Sequence, residues 1–288
     1  MSNWKPSMMY QKVAEANRRY YAKTASLYNT TETCVTNIQA QHMLEEDIDD
    51  IVQLIGEAPG TIRALDACGG AGNVSTKLLR RKVDVITCDI SIDLLGIFQE
   101  KCMREGLLPQ IVCAEIGDFL TSAQVRYDLI VFSSALHHLE DVAGVLRLAY
   151  ERLNPGGFLY TVFDPTARQS VFTRRVVWFD YIAFKVLQQT DDLLPGVIRR
   201  LLRTVNKFQR SDSSKEQMDI SDANLGVLAE YHVEQGIDDI ELVRYLAGIG
   251  FEIVWHNRYH GARYALTRYL LNLFGDVTAF KLLLKKAS

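Results

Sequence analysis

The sequence predicts an α/β fold, a largely parallel sheet with helices on both faces. Three observations predict it. Apolar runs of strand length alternate with helical periodicity between Ile62 and Phe163, the pattern of a doubly wound sheet with right-handed crossovers. The small residues Cys68-Gly69-Gly70-Ala71-Gly72-Asn73 follow the first strand and open a helix. An acid, Asp89, closes the second strand. Glycines admit a ligand close to the backbone, and the helix start offers unpaired N–H groups. An acid about 20 residues past such a loop is placed to accept both hydroxyls of a ribose. The combination points to a nucleoside-containing cofactor.

Each element follows in order. Residues 8–55 read as helices: Met9, Val13, Ala16 and Tyr20 recur at helical spacing, as do Ile48, Ile51, Val52 and Ile55. Gly56-Glu57-Ala58-Pro59-Gly60 is a turn. Strands are expected near 62–67, 84–88, 110–114, 127–132 and 157–163, with helices near 73–81, 91–105 and 141–153. After Asp164-Pro165 the pattern becomes helical, aromatic and arginine-rich through residue 236. The core pattern resumes with a helix over 238–248 and the strand Phe251-Glu252-Ile253-Val254-Trp255, then a helical stretch over 262–274. Ala279–Leu284 reads as a last strand, with a membrane-surface tail at Leu282-Leu283-Leu284-Lys285-Lys286 as the other reading. The expected organisation is an N-terminal helical cap (1–57), a cofactor-binding core (58–166), a helical substrate lid (167–236) and the rest of the core (237–288).

Composition narrows the function. A chain of 288 residues, 48% hydrophobic, buries a full core. A net charge of −3 argues against general affinity for nucleic acid. Five cysteines without a C-x-x-C pair argue against a disulfide scaffold or a zinc site, so no metal is expected and a reducing cytoplasm fits. The first ten residues lack the apolar stretch of a signal peptide. No apolar run reaches the ~20 residues of a membrane span.

The dinucleotide fingerprint G-x-G-x-x-G lacks its third glycine here, since the spacing reads Gly70-Ala71-Gly72-Asn73-Val74-Ser75. Four further features accompany the loop: Asp89; Ala114-Glu115-Ile116-Gly117-Asp118-Phe119-Leu120; Tyr127–Leu139, ending in Ser133-Ser134-Ala135-Leu136-His137-His138-Leu139; and Leu153-Asn154-Pro155-Gly156-Gly157-Phe158. In this order they resemble the class I S-adenosylmethionine-dependent methyltransferases of small-molecule type, over roughly residues 58–166 and more loosely beyond. The resemblance implies a Rossmann-like seven-stranded methyltransferase sheet, with S-adenosyl-L-methionine as cofactor. Cys68 stands where that family commonly has a glycine.

Carried over position by position, Asp66 and the loop Cys68, Gly69, Gly70, Gly72 face the methionine portion and ribose, and Asp89 takes the ribose hydroxyls. Ile90 packs on the adenine, Glu115 takes its amino group and Ile116 offers a backbone N–H. Asp118 is either a competing acid or a helix cap. Ser133 lines the methionine end. Tyr28, in a tyrosine-rich N-terminal segment with Tyr20 and Tyr21, closes over the cofactor or packs in an amphipathic helix. Arg63 and Arg81 are surface charges or cofactor contacts. His137, His138 and His232 are candidates to take an acceptor's proton, with a structural role as the alternative, and Asp164 is a further one. The expected activity is methyl transfer to a small, hydrophobic acceptor through an O-, N- or C-nucleophile. The alternatives are a lipid or quinone at a membrane surface, reached through the basic insert, or a cofactor-binding protein without turnover.

Overall fold

A computed structural model describes residues 5–56, 61–167, 219–221, 224–233, 235–261, 265–274 and 277–288, with isolated positions between 169 and 179. Most of the expected lid therefore lies outside the described residues, including most of its arginines and aromatics.

Seven strands form one sheet in the order β3-β2-β1-β4-β5-β7-β6. They are β1 (Arg63–Ala67), β2 (Asp84–Asp89), β3 (Gln110–Cys113), β4 (Tyr127–Ser133), β5 (Leu153–Pro165), β6 (Phe251–Tyr259) and β7 (Ala279–Lys286). The first five are parallel, and β7 runs antiparallel between β5 and β6. The sheet is the Rossmann-like methyltransferase sheet that the sequence motifs imply. Its strand order reverses between β1 and β4, and a ligand crevice forms outside the strand ends at such a point.

The helices are α1 (Met8–Thr31), α2 (Thr33–Thr36), α3 (Ile38–Ile55), α4 (Asn73–Arg80), α5 (Ile92–Glu105), α6 (Ile116–Ser122), α7 (Val142–Arg152), α8 (Leu225–Ala229), α9 (Asp239–Gly248) and α10 (Ala265–Phe274). Side-chain oxygens cap several starts: Ser7 for α1, Asn37 for α3, Ser91 for α5, Asp141 for α7 and Asp238 for α9.

Each central strand feeds two cores. Leu129 and Val131 pack with Leu44, Ile48, Ile51, Val74 and Leu78 of α3 and α4. Ile130 and Phe132 face the other way, onto Val145, Leu146 and Ala149 of α7 and Leu242 and Leu246 of α9. Burial on both faces is why these strands read as unbroken apolar runs. The same holds for Leu282, Leu283 and Leu284, all fully buried in β7. They close the core rather than forming a surface tail, and each contributes about 2 kcal/mol of burial.

The structure lengthens β5 back to Leu153, because Leu153 pairs with Tyr127 across an irregularity that absorbs Pro155-Gly156-Gly157. It lengthens β6 to Tyr259, paired along β7. It adds α6 and a 3₁₀ turn at Leu136–His138, both shorter than a periodic signal can reveal.

Two buried polar clusters tie distant segments to the sheet. Asp47 of α3 accepts from the Tyr160 hydroxyl (2.7 Å) and from Lys281 of β7. Asp239, at the start of α9, accepts both Nε (2.7 Å) and Nη2 (2.9 Å) of Arg258, the Thr166 hydroxyl (2.6 Å) and a proton from His256 Nε2 (2.6 Å). Burial raises the Asp239 pKa, and these donors outweigh it and hold the carboxyl below its usual value. A depressed carboxylate stabilises the fold above its unfolded pKa, and that contribution is lost as pH falls through the folded value. Replacing Asp239 by Ala is expected to lower unfolding free energy by about 3 kcal/mol, because it strands the Arg258 charge. Urea denaturation at pH 7 reads this directly, and a loss below about 1 kcal/mol would show the cluster to be dispensable.

Candidate active site

The crevice at the switch point is built from the loop after β1. Asp66, fully buried near the end of β1, accepts from the Ser75 amide (2.9 Å) and hydroxyl (2.6 Å) through Oδ2. This pins the start of α4 to the strand. Burial pushes Asp66 up to about 6, and its Oδ1 has no partner among the described residues. Asp66 thus shapes the loop from behind and does not line the cleft.

The glycines separate by role. A Cβ on Gly69 would lie 2.6 Å from Thr87 Cγ2, and one on Gly72, at φ 74°, would lie 1.9 Å from Phe98 Cδ2. These two allow close packing of strand, loop and helix. At Gly70, φ 51°, a Cβ would meet nothing nearer than 3.5 Å, with the Tyr28 hydroxyl at 3.7 Å and Asp89 Oδ2 at 3.9 Å. Gly70 bares its backbone to the cleft. Cys68 itself takes φ 57°, which explains why glycine suits that position. Its thiol is pushed up, first by burial.

Asp89, at the end of β2, accepts the Gly70 amide at Oδ2 (2.9 Å) and the Ser91 amide at Oδ1 (2.7 Å). Burial raises its pKa to about 6. Each oxygen keeps a lone pair for a ligand donor. At the end of β3, Glu115 caps α6 through the Asp118 amide (3.0 Å) and accepts the Tyr10 hydroxyl (2.5 Å). The helix-cap role considered for Asp118 falls to Glu115.

Helix α1 roofs the cleft. Tyr10, Val13, Ala14, Asn17, Tyr21 and Tyr28 line it from above. Opposite them stand Cys68, Gly70, Asp89, Ile90, Leu94, Ala114, Glu115, Ile116, Ser134, His138, Leu139 and Glu140, around about 650 Å³ of space that opens to solvent. Seven of the sequence-predicted cofactor residues meet here: Tyr28, Cys68, Gly70, Asp89, Ile90, Glu115 and Ile116. Ser133 ends β4 and its neighbour Ser134, at φ 54°, lines the cleft instead. Arg81 lies away, tying α4 to Glu45 and Asp49 of α3, and Arg63 sits beside Asp84 at the far end of β1.

The histidines divide. His138 lines the cleft. Its Nδ1 lies 2.7 Å from the Ala229 carbonyl, which can only accept, so Nδ1 carries the proton. Nε2 is then an acceptor and receives the Tyr21 hydroxyl at 3.1 Å. Burial, then His137, pushes His138 down to about 3. His137 lies behind it, 4.0 Å between ring centroids, with Nδ1 2.8 Å from Asp164 Oδ1. Burial pushes His137 down and Asp164 up, so the pair keeps one proton between them. Asp164 reaches inward because the chain bulges at Phe163, φ 68°, whose amide donates to the Tyr259 hydroxyl (3.0 Å). His232 donates its backbone N–H to the His137 carbonyl (2.8 Å) and lines a separate cleft over α7 and α9. No group of three or more His, Cys, Asp or Glu among the described residues is placed to hold a metal.

Of the roof residues, Tyr10 and Asn17 were not legible as a site, whereas Tyr21 stood beside Tyr28 in the tyrosine-rich segment. Their spacing with Tyr28 on one helical face carried the signal, but a tyrosine stripe also reads as core.

Comparison with known proteins agrees with this geometry. A family model described as a methyltransferase domain matches residues 40–254. The chain belongs to that family, in its class I, S-adenosylmethionine-dependent form. It is 29% identical over 140 residues to the tRNA 5-carboxymethoxyuridine methyltransferase of Escherichia coli K12, covering 48% of this chain and 51% of that protein. It is 28% identical over 135 residues to the ubiquinone biosynthesis O-methyltransferase of Methylococcus capsulatus, covering 45% and 54%. The chain thus spans about half the length of these curated relatives. Among solved structures, the magnesium protoporphyrin IX methyltransferase of Synechocystis PCC 6803 aligns over 96% of this chain and all of that one, at TM-score 0.56 and 15% identity. The cyclase SpnF aligns over 99% of both, at TM-score 0.57 and 13% identity. Both show the fold.

The glycine roles give a contrast. Gly72→Ala is expected to cost about 2–4 kcal/mol of stability, from overlap with Phe98 and from backbone strain. Gly70→Ala is expected to cost only about 1 kcal/mol while obstructing the cleft. Thermal unfolding of the two variants measures this, and equal losses would contradict the assignment.

Proposed function

We propose that this chain transfers a methyl group from S-adenosyl-L-methionine to a small, hydrophobic acceptor with an O-, N- or C-nucleophile. The observation that carries this is the open backbone of Gly70 beside the Asp89 carboxylate, two features that suit a ribose and its 5′ substituent. Asp89 would hold the ribose hydroxyls. Ile90, Glu115 and Ile116 would flank the base. The loop from Cys68 to Gly72 and Tyr28 would enclose the amino-acid end. When bound, the cofactor supplies an electrophilic methyl group on a sulfonium centre.

The chain's own part is alignment and exclusion of water. Val13, Ala14, Leu94 and Leu139 give the cleft apolar walls, and α1 covers it. His138 holds Tyr21 through a neutral ring. With its pKa near 3, His138 is a poor store for a proton, which favours positioning over general base catalysis. A hydrophobic acceptor suits these walls better than a polyanion does. The described helices include none long and apolar enough to cross a membrane.

Incubation with methyl-labelled cofactor and fractionated cell extract is expected to place label in the organic-soluble small-molecule fraction. Label confined to RNA or protein, or absent from every fraction, would contradict the reading. Asp89→Ala is expected to weaken binding of S-adenosylhomocysteine by about 1–3 kcal/mol, through loss of charge-assisted hydrogen bonds. The charged carboxylate binds best, so affinity should be full well above pH 6, from about pH 7, and fall as pH drops through Asp89's value of about 6. Asp89→Asn should flatten that profile in calorimetry, and an unchanged profile would assign the titration to another group. His138→Ala should leave cofactor affinity within about threefold, and its turnover measures any base role, for which a loss of about 10²–10⁴-fold is the expected signature.

A further inference from the structure

The roof of the cleft carries an acceptor that the protein leaves unanswered. Asn17, only 7% exposed, lines the cleft from α1. Its Nδ2 donates to the carbonyls of Val13 (3.0 Å) and His138 (3.2 Å). Both partners can only accept, so the carboxamide has one possible orientation. Its Oδ1 is buried, and no donor among the described residues reaches it. One turn on, Tyr21 presents its hydroxyl to the same cleft, and that hydroxyl's single proton goes to His138 Nε2. Residues at i and i+4 share a helix face. The Asn17 and Tyr21 oxygens therefore offer lone pairs and no proton. An acceptor buried without a donor is costly, so a ligand that brings a donor is favoured over one that does not.

We propose that Asn17 is a specificity-determining residue for the methyl acceptor: with Tyr21 it forms an acceptor-only pair that selects molecules carrying a hydroxyl, amine or amide N–H. The inference rests on the methyl-transfer reading and narrows it to acceptors bearing such a donor. A methylated hydroxyl has lost its donor, so the same pair distinguishes acceptor from product.

The test uses the full chain saturated with S-adenosylhomocysteine and two probes of nearly equal shape, 4-fluorophenol and its methyl ether 4-fluoroanisole, titrated by fluorine NMR. The wild type is expected to prefer the phenol by about tenfold. Asn17→Leu is expected to cut the preference to about threefold or less while keeping S-adenosylhomocysteine affinity, by calorimetry, within about threefold of wild type. Tyr21→Phe, which keeps the ring packing, should reduce the preference partway. Equal affinity for the two probes in wild type, or no phenol binding, overturns the proposal without recourse to any variant. A preference that stays near tenfold in Asn17→Leu overturns it too. A tenfold fall in S-adenosylhomocysteine affinity in that variant assigns Asn17 to the cofactor instead. Failure of the wild type to bind S-adenosylhomocysteine at all would count against the methyl-transfer reading itself, and the probe preference is then read without it.

Discussion

The site depends on a single carboxylate. Asp89 receives the amides of Gly70 and Ser91 at once, so one side chain fixes the glycine loop after β1 against the start of α5 after β2. Behind it, Asp66 fixes the same loop to α4 through Ser75, and Ser75 and Thr87 exchange a hydroxyl hydrogen bond at 2.6 Å. Two buried acids thus brace one turn from opposite sides. Burial raises both pKa values to about 6, so bracing with charged groups works against their desolvation. A backbone shaped this way is preorganised for a ligand before the ligand arrives.

The second half of the site is assembled by packing. Helix α1 uses two faces. Ala16, with Met9, packs on Leu225, Val227 and Leu228 around α8, while Tyr10, Asn17, Tyr21 and Tyr28 look into the cleft. The Ala229 carbonyl at the end of α8 sets the His138 tautomer, and His138 in turn sets the Tyr21 hydroxyl. The chain beyond the fifth strand therefore reaches the cleft through a run of hydrogen bonds. The bulge at Phe163 serves the same end from below, turning Asp164 onto His137.

The core was legible because its signals are local. Apolar runs buried on both faces and a small-residue turn that opens a helix each announce themselves within a few residues. Gly70, Asp89, Ile90, Glu115 and Ile116 meet in one cleft because each lies at or just past the end of a parallel strand, and a parallel sheet gathers those ends on one edge, while Tyr28 joins them from α1. Asn17 was not legible, because its meaning lies in the His138 carbonyl, 121 residues away. The separation of His137, His138 and His232 was hidden for the same reason: adjacency in sequence puts His137 behind the cleft and His138 in it. Ser134 rather than Ser133 meets the cleft because the backbone turns left-handed at the end of β4. The helix α6 escaped because seven residues with an internal glycine carry too little periodicity.

The central claim is that the braced loop and Asp89 form a cleft for an adenosyl amino acid and not for a dinucleotide. Side-by-side calorimetry of S-adenosylhomocysteine and NAD on the wild-type chain addresses it most directly. Binding of S-adenosylhomocysteine at micromolar or tighter affinity, with no heat from NAD, is the expected result. Comparable binding of NAD, or silence with both, would mean that the cleft is built for something else.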